Sequence, residues 1–89
     1  MAQLFIPQSL RPGLPEHPLP LATPASLGAA LTALQARCPE VLARFWTGER
    51  LAPGFFMFRN QQLLDPQRLG ALSLEAGDQI RVVQPLSGG

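Results

Sequence analysis

A mixed α+β fold is predicted by three features of the sequence. Short strand-like apolar runs lie near both ends, at Gln3 to Ile6 and Gln79 to Gln84. Between them, Leu27, Ala30, Leu31, Leu34, Cys38, Val41, Leu42 and Phe45 recur at steps of three and four, as on the apolar face of a helix. Turns rich in glycine and proline separate the segments. The order strand, edge strand, long helix, hairpin, turn, strand mixes one main helix with a small sheet. A chain of 89 residues has room for one core, and at this size roughly 60% of the unfolded surface can be buried.

The elements follow in order. Gln3 to Ile6 is a strand ended by Pro7, which cannot donate to a ladder. Six of the ten prolines fall between Pro7 and Pro24, a density that forbids helix and interior strand and leaves a loop with a short edge strand at Leu19 to Ala22. Ser26 is placed to cap the helix, because its hydroxyl can accept from an orphan N–H of the first turn. Pro39 interrupts the ladder, so a kink or two abutting helices is expected. Gly48 to Gly54 is a turn region. Phe55 to Arg59 and Gln62 to Leu64 form a hairpin around Asn60-Gln61, where asparagine tolerates the left-handed conformation. Arg59 favours water, which sets the expected phase of this strand: Phe56 and Phe58 toward the helix, with Phe55 and Met57 on the open side as a partner-binding surface. Arg68 to Leu74 is too short for a full helix. Gly77-Asp78 turns the chain into the last strand, with Ile80 and Val82 on one face, Arg81 and Val83 on the other, and Pro85 as its stop.

Composition narrows the function. Hydrophobic residues are 46% of the chain and charged residues 15%, which marks a globule rather than a disordered tail. The net charge is +1 and the seven basic residues are scattered singly, so no clustered phosphate-binding footprint for nucleic acid is present. No apolar run approaches the roughly 20 residues of a membrane span, and a cytoplasmic protein without membrane attachment is expected. Cys38 is the only cysteine, and on the apolar stripe it reads as a small hydrophobe rather than a nucleophile. His17, the only histidine, lies among prolines and is expected to be a solvated loop residue; no metal site can be assembled around it. All seven basic residues are arginine, so the chain has no side-chain amine for acylation or Schiff-base chemistry.

The chemistry is concentrated in the ending. Gly88 and Gly89 lack Cβ atoms, so the backbone after Pro85 can enter a channel too narrow for side chains and present its carboxylate to a reagent held by another protein. A free carboxylate is a poor electrophile and needs a better leaving group, typically a nucleotide phosphate. The chain has neither a phosphate-cradling glycine loop nor a lysine to accompany one. Activation then falls to a separate enzyme, with this chain as its macromolecular substrate.

The run Leu74-Glu75-Ala76-Gly77-Asp78-Gln79-Ile80-Arg81-Val82-Val83-Gln84-Pro85-Leu86-Ser87-Gly88-Gly89 resembles the C-terminal signature of the small sulfur-carrier proteins that include the molybdopterin synthase small subunit and the thiamine-pathway sulfur carrier. Ser26 to Leu31 and Ala36 to Val41 resemble the family's long helix, and Asn60-Gln61 its hairpin turn. The resemblance implies a ubiquitin-like β-grasp domain over residues 1–85 and a flexible tail over 86–89. It implies that Gly89 is adenylated by an E1-like enzyme that uses ATP and is then converted to a thiocarboxylate. Gly88 would supply clearance, and Pro85, Leu86, Phe55 and Met57 would serve partner binding. The chain would bind no cofactor itself. It would be a protein co-substrate rather than an enzyme, such as the small subunit of a sulfurtransferase complex, with a cysteine desulfurase or rhodanese as sulfur donor and a synthase large subunit as acceptor.

Two features depart from the family pattern: the scarcity of β-branched residues between Pro7 and Pro24, and the bulk of Phe55 to Phe58. The approach Leu51 to Gly54, together with Pro85, resembles the molybdopterin branch most. The alternatives are a carrier for thiamine, cysteine or another sulfur-containing metabolite, a ubiquitin-like modifier conjugated through Gly89, and a noncatalytic interaction module.

Overall fold

The computed structural model describes residues 1–84. In chain order the elements are β1 (Ala2–Phe5), β2 (Leu19–Leu21), β3 (Ala25–Ser26), α1 (Leu27–Arg37), α2 (Pro39–Leu42), β4 (Phe56–Arg59), β5 (Gln62–Leu63), β6 (Ser73–Leu74) and β7 (Gln79–Val83), with single 3₁₀ turns at Gln8–Leu10 and Leu69–Ala71. Five strands form one sheet in the order β2-β1-β7-β4-β5, and β3 pairs with β6 in a separate two-stranded ladder. The first and last strands run parallel at the middle of the large sheet, and the other neighbours are antiparallel.

The helix starts where Ser26 takes an extended conformation and its Oγ accepts from the Ala29 N–H at 3.1 Å. It ends at Cys38, whose φ of −133° and ψ of 63° leave the helical region, and Pro39 opens the short second helix. Proline has no N–H to offer there, so the break falls where that loss is harmless. The expected pair of abutting helices is what forms, and Cys38 lies half-buried against the core.

One face of the sheet closes over α1. Leu4, Leu19, Leu21, Met57, Ile80 and Val82 from the strands meet Leu27, Leu31 and Leu34 from the helix, with Leu42, Phe45 and Trp46 sealing one side. Each fully buried aliphatic side chain contributes roughly 1.5–3 kcal/mol of burial free energy. Across from the sheet, α1 packs so tightly on the 3₁₀ turn at Leu69–Ala71 that a Cβ added to Gly28 would sit 3.0 Å from the Gly70 backbone. The turn is pinned beside the helix start, where the Leu27 N–H donates to the Leu72 carbonyl at 2.7 Å. The β3–β6 ladder next to it is only two residues a side, too short to leave an alternating pattern in the sequence.

The proline-rich connection between β1 and β2 has fewer N–H groups than carbonyls, and some of its carbonyls take donors from side chains. Arginines provide them. Arg11 Nε donates to the Ile6 carbonyl at 3.0 Å, and Arg44 Nη1 reaches from beyond α2 to the carbonyls of Leu10 and Pro12 at 3.1 and 3.4 Å. Pro20 occupies β2 itself, which is tolerable because β2 is an edge strand. The hairpin turn is the one expected: Asn60 and Gln61 have φ of 48° and 76°, the left-handed pair of a two-residue turn. Gly77, at φ 89°, makes the reversal before β7, and its N–H donates to the Met1 carbonyl at 3.1 Å. The architecture is the α+β, ubiquitin-like β-grasp arrangement of a mixed sheet wrapped on one main helix.

Candidate partner-docking site

The face of the sheet turned away from α1 is the candidate site, because β7, the last strand before the Gly-Gly ending in the sequence, contributes to it. Paired residues of neighbouring strands share a face. With Ile80 and Val82 buried, Arg81 and Val83 point outward. Their partners in register are Phe5 beside Arg81, Phe56 beside Val83 and Phe58 across from Arg81, and Phe58 is in turn paired with Leu63. The outer face is therefore lined by Phe5, Phe56, Phe58, Leu63 and Val83 around one guanidinium. Phe56 is 46% exposed and Leu63 57%, large apolar areas for a chain this small.

This inverts the phase expected for the strand after Gly54. Met57 is 1% exposed, pairs with Val82 and belongs to the core, while Phe56 and Phe58 face out. The reason lies in Arg59, whose aversion to burial set the expected phase. Arg59 is on the core side at the end of β4, opposite Ile80, and its long side chain reaches out to donate to the Ser73 carbonyl at 3.3 Å. Phe55 is also off the open face. It precedes β4, is half-buried against the core, and tilts against Phe45 with centroids 6.3 Å apart. Of the partner-binding residues expected from the sequence, Phe55 and Met57 are thus packing residues; Phe56 and Leu63 are the exposed ones, with Phe58 half-buried on the same face. Pro85, Leu86, Gly88 and Gly89 lie outside the described residues.

His17 also departs from expectation. It is half-buried, and its Nε2 accepts the Ile6 N–H at 3.0 Å, supplying the partner that the end of β1 would otherwise lack. Its ring stands edge-on to Phe5, with centroids 5.8 Å apart and an interplanar angle of 82°. Burial, followed by the positive charges of Arg11 and Arg81, holds its pKa below the ordinary histidine value. Arg81 completes the stack, its guanidinium carbon 4.6 Å from the Phe5 centroid. No sequence signal announces this cluster, since it depends on the parallel register that sets Phe5 beside Arg81.

Among the described residues no three of His, Cys, Asp and Glu come together as a metal-ion cluster, and no helix is long and apolar enough to cross a membrane. The arrangement offers a rigid strand that leads into the ending, flanked by an apolar, cation-bearing face. Such a surface can hold a protein partner.

The sequence model of the ThiS family matches residues 4–89. No curated protein matches. Among solved structures, SAMP1 from Haloferax volcanii is similar with a TM-score of 0.71 and 24% identity, over 99% of this chain and 98% of that one. The BexX/CysO complex of Amycolatopsis orientalis gives a TM-score of 0.82 at 18% identity, covering 100% of both chains. CysO of Mycobacterium tuberculosis, described as an antigen, gives 0.78 at 18% identity over 97% of this chain and 100% of that one.

Proposed function

The chain belongs to the ThiS family, and from that premise we propose that it is a sulfur carrier whose Gly89 carboxylate is the working group. A carboxylate oxygen of Gly89 attacks the α-phosphorus of ATP in an E1-like enzyme, and pyrophosphate leaves. The resulting acyl-adenylate carries a good leaving group. The terminal sulfur of a donor protein's persulfide then attacks the acyl carbon and AMP departs, leaving an acyl disulfide; a second thiol attacks the donor's sulfur, forms a disulfide with it and releases the Gly89 thiocarboxylate. The proposed recipient is molybdopterin, with this chain as the small subunit of a two-protein synthase. ATP belongs to the activating enzyme.

The observation that carries the reading is the extent of the family match, which runs through the Gly88-Gly89 ending. The fold supports it. The strand that leads into the ending is central in the sheet, anchored by β1 on one side and β4 on the other. Gly88 gives backbone clearance, Phe56, Phe58, Leu63 and Val83 supply the apolar docking face, and Pro85 and Leu86 are assigned to partner binding by the family resemblance alone. That a neighbour of the same fold was solved as a BexX/CysO complex supports a docking role for such a domain.

The test is ATP–pyrophosphate exchange by the E1-like enzyme of the same organism. The full chain stimulates exchange, and the chain lacking Gly88 and Gly89 does not. Equal stimulation by both would remove the carrier role.

A further inference from the structure

The outer face carries a charge arrangement that an apolar docking surface does not require. Arg81 stands at its centre, over the Phe5 ring, with no hydrogen-bond or carboxylate partner among the described residues. Arg11 uses Nε on the Ile6 carbonyl and likewise has no carboxylate partner among them. Both line one open cavity of about 250 Å³ with Ile6, Pro7, Val83 and Gln84, at the point where the chain leaves β7. Their charges converge on the same neighbour, since both depress the pKa of His17. The strand residues of this face include no acid.

Two arginines that line one cavity without a carboxylate partner among the described residues leave like charge uncompensated there. Arg81 lies over the Phe5 ring, and no hydrogen bond within the described residues engages its N–H groups. A planar fork presented in this way fits a carboxylate in a bidentate contact. Resting on the carrier reading above, we propose that Arg81 and Arg11 are a specificity site for the E1-like enzyme: they receive an aspartate or glutamate side chain of that enzyme, whose apolar neighbours cover Val83 and Phe56. An arginine beside aromatic side chains is also the composition that concentrates binding energy at interfaces.

The experiment measures the KM of the E1-like enzyme for the full-length carrier in pyrophosphate exchange. The variants are Arg81→Glu, Arg81→Gln and Arg11→Glu, with Arg37→Glu, exposed on α1 across the fold from this face, as control. Circular dichroism establishes that each is folded. The site predicts a KM raised roughly tenfold or more by Arg81→Glu, a smaller rise for Arg81→Gln and Arg11→Glu, and an unchanged kcat. The control stays within about twofold. The wild-type KM rises from about 50 to about 500 mM salt, and the advantage of wild type over Arg81→Glu shrinks. A folded Arg81→Glu chain with wild-type KM, or an effect insensitive to salt, overturns the inference and leaves the carrier reading standing. A wild-type chain that stimulates no exchange overturns both.

Discussion

Asn60 and Asp78 lock two turns that lie far apart in the sequence. Asn60 Nδ2 donates to Asp78 Oδ1 at 3.1 Å, and Asn60 Oδ1 accepts the Gln79 N–H at 2.9 Å. The other carboxylate oxygen of Asp78 accepts the Glu75 N–H at 2.9 Å, and its backbone carbonyl accepts from Gln3. The β4–β5 turn, the reversal before β7 and the start of β1 therefore meet at one residue that is only 8% exposed. This cluster fixes the register of β7, which fixes in turn which residues face the partner.

Asp78→Ala removes two acceptors from a buried site and strands their donors, so a loss of about 2–3 kcal/mol is expected. Asn60→Gly retains the positive φ while losing the amide, and costs about 1–2 kcal/mol. Urea unfolding midpoints measure both. A midpoint shift near zero for Asp78→Ala would show that the lock carries no weight.

Met57 and Phe56 should separate stability from recognition. Met57→Ala opens a cavity beneath Val82 and is expected to cost about 2–4 kcal/mol. Phe56→Ala lies on the outer face, changes stability by about 0.5 kcal/mol or less, and weakens partner binding. Thermal unfolding together with the KM for the carrier in pyrophosphate exchange tests the pair. The opposite pattern would restore the phase expected from Arg59.

Gly28 and Gly70 touch through their backbones. An alanine at Gly28 gains helix propensity but forces its Cβ against the Gly70 Cα and carbonyl oxygen at 3.0 Å, so a net loss of about 1 kcal/mol is expected. Gly70→Ala meets nothing within 4 Å and is expected to be neutral or slightly stabilising. Melting temperatures of the two single variants decide it, and equal effects would contradict the contact.

His17 should make the domain weaker in mild acid. Its folded pKa is lowered from 6.5, so the unfolded chain takes up the proton first as the pH falls. The stability it contributes is complete above the unfolded value, declines as the pH drops from there toward the lower folded value, and stops changing once both states are protonated. Protonation also removes the Nε2 lone pair that accepts the Ile6 N–H. His17→Gln, whose amide oxygen can accept that N–H, is expected to reduce the difference in unfolding midpoint between about pH 7.5 and about pH 5.5. An unchanged difference would remove His17 as its source.

What was legible in the sequence was local. Ser26 capping α1, Pro39 breaking it, Asn60-Gln61 turning the hairpin and the alternation of Ile80 and Val82 all depend on neighbours a few residues away, and each appears as expected. The misreadings are of contacts between distant segments. Arg59 looked like a marker for the wet face, yet its side chain finds Ser73 across the fold. His17 looked solvated among its prolines, yet the start of the loop brings Ile6 and Phe5 to it. The Phe5–Arg81 stack requires the parallel pairing of the first and last strands, a register that no local pattern encodes.

The most direct test of the central claim is the intact mass of the full chain after incubation with its E1-like enzyme, ATP and a sulfur donor. The account predicts a mass increase equal to the exchange of one oxygen for sulfur, located by fragmentation at Gly89 and absent from the chain that lacks Gly88 and Gly89. An unchanged mass in the presence of an enzyme shown to be active, or sulfur found at Cys38 instead, would contradict it.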